Sequence, residues 1–329
     1  MNKLKAAILG AGEMGEIHAQ NLKKIEKVEL TAITSLPLAS AKKLKEDLGL
    51  KQIYCYDNFD KMLAERELDL LYVCLPPFAH QGEVEKAAAK GINIFIEKPI
   101  ALNLKKAESM VSAVENAGVY SQVGFHFRLA KPVQKLKQLL ENKTAGKVSL
   151  IQGHYFCNSL HSEWWRDIEK SGGQILEQII HLYDLLLYLF GEIDYVDALM
   201  DNLCHQEVDD YTIEDSSISL LKFKSGAIGS IAGSNCAVPG KWEKSLTVIC
   251  ENLSVEFDNI VDAVFNYTKK DTVEEEKITT EKDLYYAESR NFVDSILKNK
   301  TTITPIRDGL KAMVLIDKII ESAKKSDPK

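Results

Sequence analysis

Three groups of residues in this sequence have types and spacing that could do chemistry. The first is Ile8-Leu9-Gly10-Ala11-Gly12-Glu13-Met14-Gly15, a G-x-G-x-x-G run between an apolar stretch and a helical pattern. Gly10 permits a tight turn, Gly12 lets the backbone approach a pyrophosphate, and Gly15 lets a helix pack against the strand. The unpaired N–H groups of that helix then face the phosphates. Gly10, Gly12, Glu13, Met14 and Gly15 are therefore the expected cofactor contacts. A glycine turn without a ligand is the alternative, and the strand before and helix after favour the dinucleotide. An acid that grips the adenosine ribose belongs about 20 residues further on, at the end of the second strand. That strand ends Ala32-Ile33-Thr34-Ser35-Leu36, with no acid. A carboxylate there would repel a 2′-phosphate, whereas Ser35 can hydrogen-bond to either ribose. The reading leans to NADP, with NAD as the alternative. A strand-end serine without a role fits equally.

The second group is Glu97-Lys98-Pro99, after the fourth expected parallel strand. Ligands of open α/β sheets bind at the carboxyl ends of the strands. Lys98 could there hydrogen-bond a substrate hydroxyl and stabilise a forming oxyanion, held by the fixed backbone of Pro99. Position alone fits a surface loop lysine equally. The third group lies on a helical pattern from Gly173 to Phe190, where Glu177, His181 and Asp184 share one face. An ordinary solvent face is the bland reading. Against it, no Lys or Arg occurs from Ser171 to Leu221. A histidine one turn from a carboxylate is a general acid/base whose ring the carboxylate orients.

The elements that must position these groups follow from length and periodicity. At about 150 residues per domain, 329 residues suggest two domains. The first 124 residues alternate apolar runs with helical patterns, the sequence form of a doubly wound parallel sheet. Its strands are Lys5–Leu9, Val28–Thr34, Asp69–Leu75, Asn93–Ile96 and Tyr120–Gly124. Residues 125–329 form the second domain, α+β with a largely antiparallel open sheet. Its strands are Val148–Cys157, Tyr195–Cys204, Ser216–Phe223, Ala227–Ser234, Ser245–Cys250, Ser254–Phe257 and Ala263–Thr268. The C-terminal helix, Ile306–Lys324, is one that could pack back on the first domain.

Composition narrows the classes. A net charge of −7 argues against a nucleic-acid partner. No apolar run nears the ~18–20 residues of a membrane span, and the N-terminus lacks the long apolar region of a secretory signal. Six cysteines, scattered without a CxxC pair, suggest reduced thiols in cytoplasm and no metal site.

The order of the motifs GAGEMG at 10–15, CLPPFAH at 74–80, EKPIAL at 97–102, GFHFR at 124–128 and GGQILEQIIHLYDL at 172–185 resembles the glucose–fructose oxidoreductase / inositol dehydrogenase (Gfo/Idh/MocA) family of NAD(P)-dependent sugar and polyol oxidoreductases. The resemblance covers nearly the whole chain. It implies that Lys98 and His181 assist proton transfer while hydride passes to or from nicotinamide C4. The family's usual aspartate four residues before the histidine is Glu177 here, and the usual glycine two before it is Ile179. Asp184 matches a later aspartate, read as structural. Leu75, Pro76 and His80 should border the cofactor and Glu97 the nicotinamide ribose. His126 and Arg128 should sit at the substrate pocket, with Trp164, Trp165 and Arg166 on a loop over it. For the tryptophans, a packing or subunit contact is the other reading.

The expectation is therefore an NAD(P)-dependent dehydrogenase or reductase acting on CH–OH groups of a small sugar, polyol or related derivative. A homo-oligomer, dimer or tetramer, would bury the open sheet. Two rivals share these residues. One is a dinucleotide-sensing regulator without turnover, and the other a reductase of a non-sugar carbonyl or imine.

Overall fold

Runs of Ala, Ile, Leu, Val and aromatic residues shielded on both faces build the first sheet, the pattern that parallel strands take when helices cover both sides. The computed structural model describes residues 3–269 and 272–326. Strands Leu4–Leu9 (β1), Val28–Thr34 (β2), Tyr54–Tyr56 (β3), Leu70–Val73 (β4), Asn93–Ile96 (β5) and Ser121–Val123 (β6) are all parallel. Their order is β3-β2-β1-β4-β5-β6. Helices Glu13–Lys23 (α1), Leu38–Asp47 (α2), Phe59–Glu65 (α3), Glu83–Ala89 (α4) and Leu104–Ala117 (α5) connect them. The strand order reverses between β1 and β4, the switch point at which such sheets bind ligands. Sequence reading missed β3 and α3, because three and seven residues are too short to show a period. Lys98 therefore follows the fifth strand rather than the fourth.

Polar caps set the helix ends. The Asn103 side chain accepts the Lys106 N–H at the start of α5, and Gly118, at φ 64°, ends the helix in a left-handed turn.

After His126 the pattern changes to Lys131–Glu141 (α6), Val148–Phe156 (β7) and the short Ile168–Ser171 (α7). A π-helical turn, Ile175–Ile179, then leads directly into Ile180–Phe190 (α8). Seven strands follow: Ile193–Asp201 (β8), Ser216–Phe223 (β9), Ile228–Ser234 (β10), Glu243–Cys250 (β11), Leu253–Asp258 (β12), Asp262–Lys269 (β13) and Thr272–Thr279 (β14). Helices Leu284–Leu297 (α9) and Ile306–Ser326 (α10) close the chain. The sheet order is β14-β13-β12-β11-β7-β10-β9-β8. Every pairing in it is antiparallel except β7 with β10. Gly226, at φ 92°, makes the β9–β10 hairpin turn, which needs a residue tolerant of positive φ.

The described chain divides into two units: residues up to His126 with Lys282–Leu310, and Phe127–Glu281 with the residues from Lys311 onward. A single cut after residue 124 does not describe it. The reason is packing: Phe292 and Val293 of α9 are fully buried in one core with Ile8, Leu22, Ile33, Tyr72 and Phe95. The Tyr72 and Phe95 rings stack 4.6 Å apart, and Phe292 meets both edge-on. Among the described residues, no helix is long and apolar enough to cross a membrane.

Phe292→Ala should therefore destabilise the first unit by about 3–5 kcal/mol. Urea unfolding followed by circular dichroism measures it, and a loss below ~1 kcal/mol would remove α9 from that core.

Candidate active site

In the first unit the glycine run does what its spacing requires. Gly10 sits at φ 98°, and a Cβ there would strike the Cys74 carbonyl and the Leu75 side chain. A Cβ on Gly15 would collide with the Gly10 carbonyl. These two glycines let β1, the loop after β4 and α1 meet. Gly12 differs, because a Cβ on it would meet nothing within 4 Å. As the N-cap of α1 it has no side chain to cap the helix. The opening above Gly12, next to the dipole end of α1 with Glu13 and Met14 in its first turn, has the shape and polarity that suit an anionic pyrophosphate. Ser35, at the end of β2, accepts the Ala11 N–H at 3.3 Å, so its hydroxyl belongs to the same turn. Leu36 beside it is largely exposed.

Leu75 and Pro76, half-buried, follow β4. His80 Nδ1 bonds to Glu83, and the His80 Nε2 is buried without a hydrogen-bond partner among the described residues. Burial works to raise the Glu83 carboxyl. The hydrogen bond and charge of His80, with the backbone N–H groups of Glu83 and Gln81, outweigh it and hold the group below the usual range.

Glu97 is buried at the end of β5. Its Oε1 lies 2.6 Å from Nε2 of the buried His18 on α1, and its Oε2 accepts the Lys98 N–H at 3.2 Å. A Cβ on Gly124 would sit 2.7 Å from the Glu97 carboxylate, so the glycine after β6 makes room for it. Burial again opposes the charge, but the His18 hydrogen bond and the charges of His18, Lys98 and His126 keep Glu97 below its ordinary value. Glu288 of α9 takes the opposite state. Burial and the nearby Glu97 push its carboxyl well upward, and neither oxygen has a hydrogen-bond partner among the described residues. One charge is thus held by two carboxyls. The His126 ring lies 4.6 Å from that of Tyr285.

In the second unit the expected single helix from Gly173 to Phe190 begins as the π-turn. Its wider turn replaces the ideal spacing assumed for Glu177 and His181. Such turns are rare and frequent at functional sites. The solvent-face reading fails, since Gln174, Gln178, His181 and Asp184 are all buried. Glu177 accepts the indole N–H of the buried Trp165 at 2.6 Å. His161, which sequence left unassigned, packs its ring 3.9 Å from Trp165 and places Nε2 3.1 Å from the Gln178 amide nitrogen. His181 packs against the Phe127 ring at 5.2 Å.

Arg128, expected at the substrate, forms a buried fork with Asp184. Nε donates to Oδ2 at 2.9 Å, and Nη2 to Oδ1 at 2.6 Å. Arg166 likewise pairs with Asp210 at 2.6 Å, linking two loops. Trp165 packs with Tyr211 and Ile213.

Sequence reasoning also missed Glu214. Its Oε1 accepts the Ile175 N–H at 2.7 Å, and a Cβ on Gly173 would lie 2.5 Å from its Oε2. Gly173, at φ 96°, therefore brings the start of the π-turn onto a buried carboxyl. Burial, only partly offset by backbone N–H groups, raises that carboxyl to about 7. A glutamate far from its partners in sequence carries no local signal of this.

Comparison with known proteins gives the family and the fold. Residues 4–125 match the family described as "Oxidoreductase family, NAD-binding Rossmann fold", and residues 133–256 match the GFO/IDH/MocA C-terminal domain. The chain belongs to the GFO/IDH/MocA family and is an oxidoreductase with an NAD-binding Rossmann domain. It is 27% identical over 318 residues to myo-inositol 2-dehydrogenase of Thermotoga maritima, covering 95% of this chain and 94% of that one. It is also 27% identical over 241 residues to scyllo-inositol 2-dehydrogenase (NAD(+)) of Bacillus subtilis, covering 73% and 69%. Levoglucosan dehydrogenase, solved in complex with NADH and levoglucosan, shares the fold with a TM-score of 0.90 at 17% identity, covering all of both chains.

A carboxyl raised in the folded state binds protons more tightly there than in the unfolded chain, so it costs stability as pH rises from its unfolded value to its folded one. Glu214→Gln should abolish this dependence. From pH ~4.5 to ~7 the wild type should lose up to about 3 kcal/mol relative to the variant. Parallel urea titrations across this range test it, and a constant difference would reject the raised carboxyl.

Proposed function

We propose that this oxidoreductase moves a hydride between nicotinamide C4 and the hydroxyl/carbonyl carbon of a sugar, polyol or related derivative. The observation that carries the reading is the polar set of half-buried Glu177 with buried His181 and Asp184 on a largely apolar helix, in a chain with an NAD-binding Rossmann domain. The names of its relatives, inositol and levoglucosan dehydrogenases, support the substrate class.

The glycines and α1 would hold the pyrophosphate, and Leu75, Pro76, His80 and Glu97 would border the rest of the cofactor. When bound, the dinucleotide accepts or returns the hydride. Lys98 and His181 are assigned the hydroxyl proton: as the C–H hydride leaves, the O–H proton passes to one of them, and it returns in reduction. Glu177, held by Trp165, supports their charge. His126, Arg128, Trp165 and Arg166 are assigned to the substrate side, with Arg128 acting through its fork with Asp184. The neutral end of β2 leans the cofactor choice to NADP.

One face of the second sheet exposes Tyr195 and Leu199 of β8, Ile218 and Leu220 of β9, and Ile228 of β10. The register sets Leu199 opposite Ile218 and Ile228 opposite Lys222, so these side chains share that face. Lys222 and Asp197 are set into the same face; exposed apolar groups gathered in this way mark an interface, and a second copy of the chain is the proposed cover. Leu220→Asp should then shift the protein toward monomer in sedimentation, and an unchanged profile would exclude the face.

The test of the activity is a panel of sugars and polyols read by nicotinamide absorbance. Lys98→Ala and His181→Ala should each lower kcat by about 10²–10⁴-fold, while fluorescence titration shows dinucleotide affinity retained. Tighter NADPH than NADH binding would support the NADP lean, and full turnover in either variant would strike that residue from the mechanism.

A further inference from the structure

Three strand ends of the second sheet bring together side chains that the sequence scatters. Asp201, the last residue of β8, pairs with Ser216, the first of β9, which also pairs with Ser234, the last of β10. The residues just beyond these ends are thereby neighbours: Cys204 and His205 after β8, Asp215 before β9, and Cys236 after β10. The donor atoms of Cys204, Asp215 and Cys236 all lie within 4.8 Å of one another. His205 Nδ1 is 3.1 Å from Asp215 Oδ2 and 3.8 Å from Cys236 Sγ.

We propose that Cys204, His205, Asp215 and Cys236 form a binding site for a soft divalent cation, with zinc the best fit. Two thiolates, an imidazole and a carboxylate are a zinc donor set, whereas magnesium and calcium take oxygen ligands. Tetrahedral bonds of about 2.0–2.3 Å place neighbouring donor atoms about 3.3–3.8 Å apart. The distances at His205 already bracket that range. Asp215 is fully buried and has no Lys or Arg partner among the described residues. It is oriented by the backbone N–H groups of Leu203, Cys204 and His205 and by the Ser216 hydroxyl, an outer shell of the kind that fixes a ligand carboxylate. Cys204 is exposed, which leaves an entry path. On binding, the two thiols release their protons to solvent, while the neutral His205 ring carries its one proton on Nε2 and offers the bare Nδ1 to the cation.

The site has a structural consequence for its surroundings. The His205 ring stacks on Tyr211 at 4.5 Å, and the Tyr211 hydroxyl accepts from Asn235 at 2.9 Å. Tyr211 packs on Trp165, which in turn holds Glu177. A bound cation would pin the loop between β8 and β9 to the end of β10 and stiffen that chain of contacts.

The experiment is titration of the chelator-treated, reduced protein with Zn²⁺ in competition with a chromophoric chelator, alongside Co²⁺ absorption spectroscopy. The wild type should bind one ion per chain, show a thiolate-to-cobalt charge-transfer band, and melt at a higher temperature with Zn²⁺ than without. Cys204→Ser/Cys236→Ser should bind at least ~100-fold more weakly, lack the band, and show no zinc-dependent shift in melting. Cys204→Ser alone, at an exposed position, keeps the comparison available if the double variant does not fold. Binding below one equivalent, equal binding by wild type and variants, or a cobalt spectrum without thiolate character would overturn the site. So would a Cys204–Cys236 disulfide in the freshly isolated protein, seen as a mass lower by two hydrogen atoms without reductant.

Discussion

The first unit depends on one buried carboxylate. Glu97 follows β5 directly, yet its two oxygens reach His18 on α1 and the N–H of Lys98, while the bare backbone of Gly124 after β6 closes over it. His18 also contacts Ser289 of α9 at 3.4 Å. A single charge in a low-dielectric interior thus ties the glycine-turn helix, two strand ends and the returning helix α9 to one point. An unpaired charge there would cost several kcal/mol, so the partners are obligatory. The orientation of the Glu-Lys-Pro segment follows from this anchor. Lys98 takes its place because the residue before it is held by His18 on one oxygen and closed in by Gly124.

The second unit solves the same problem differently. Instead of one anchored charge, it spreads polar groups along a buried helix and gives each a partner from elsewhere in the unit. Trp165 serves Glu177, Arg128 serves Asp184, and Glu214 receives the N–H groups at the start of the π-turn. The unusual turn places these groups without a proline or a break in the chain.

Much of this was legible in the sequence, because some chemistry is written contiguously. Gly10, Gly12 and Gly15 stand in one short run between a strand and a helix, and Glu97-Lys98-Pro99 follows a short apolar strand that announces itself. The lack of lysine and arginine around His181 signalled burial. What stayed hidden was set by pairing at a distance. Arg128 meets Asp184 only after α6 and β7 have intervened. The cysteines at 204 and 236 meet only through strand register, and a π-turn has no composition of its own. Likewise Phe292 looks like any apolar residue of a C-terminal helix, and only the aromatic stack of Tyr72 and Phe95 makes it part of the first unit's core.

The last strand of the second sheet has a consequence of a different kind. β14 reads Thr272-Val-Glu-Glu-Glu-Lys-Ile-Thr279, lies at the end of the strand order, and carries Glu274, Glu275 and Glu276 in succession. A terminal strand offers unpaired amides and carbonyls to any passing extended peptide, and a row of carboxylates is an effective way to turn one away. Ribbon-like growth of the sheet past β14 would press acid against whatever strand arrived. This border guards a β-rich unit against fibrillar self-addition, and leaves its broad surface free to meet partners face to face.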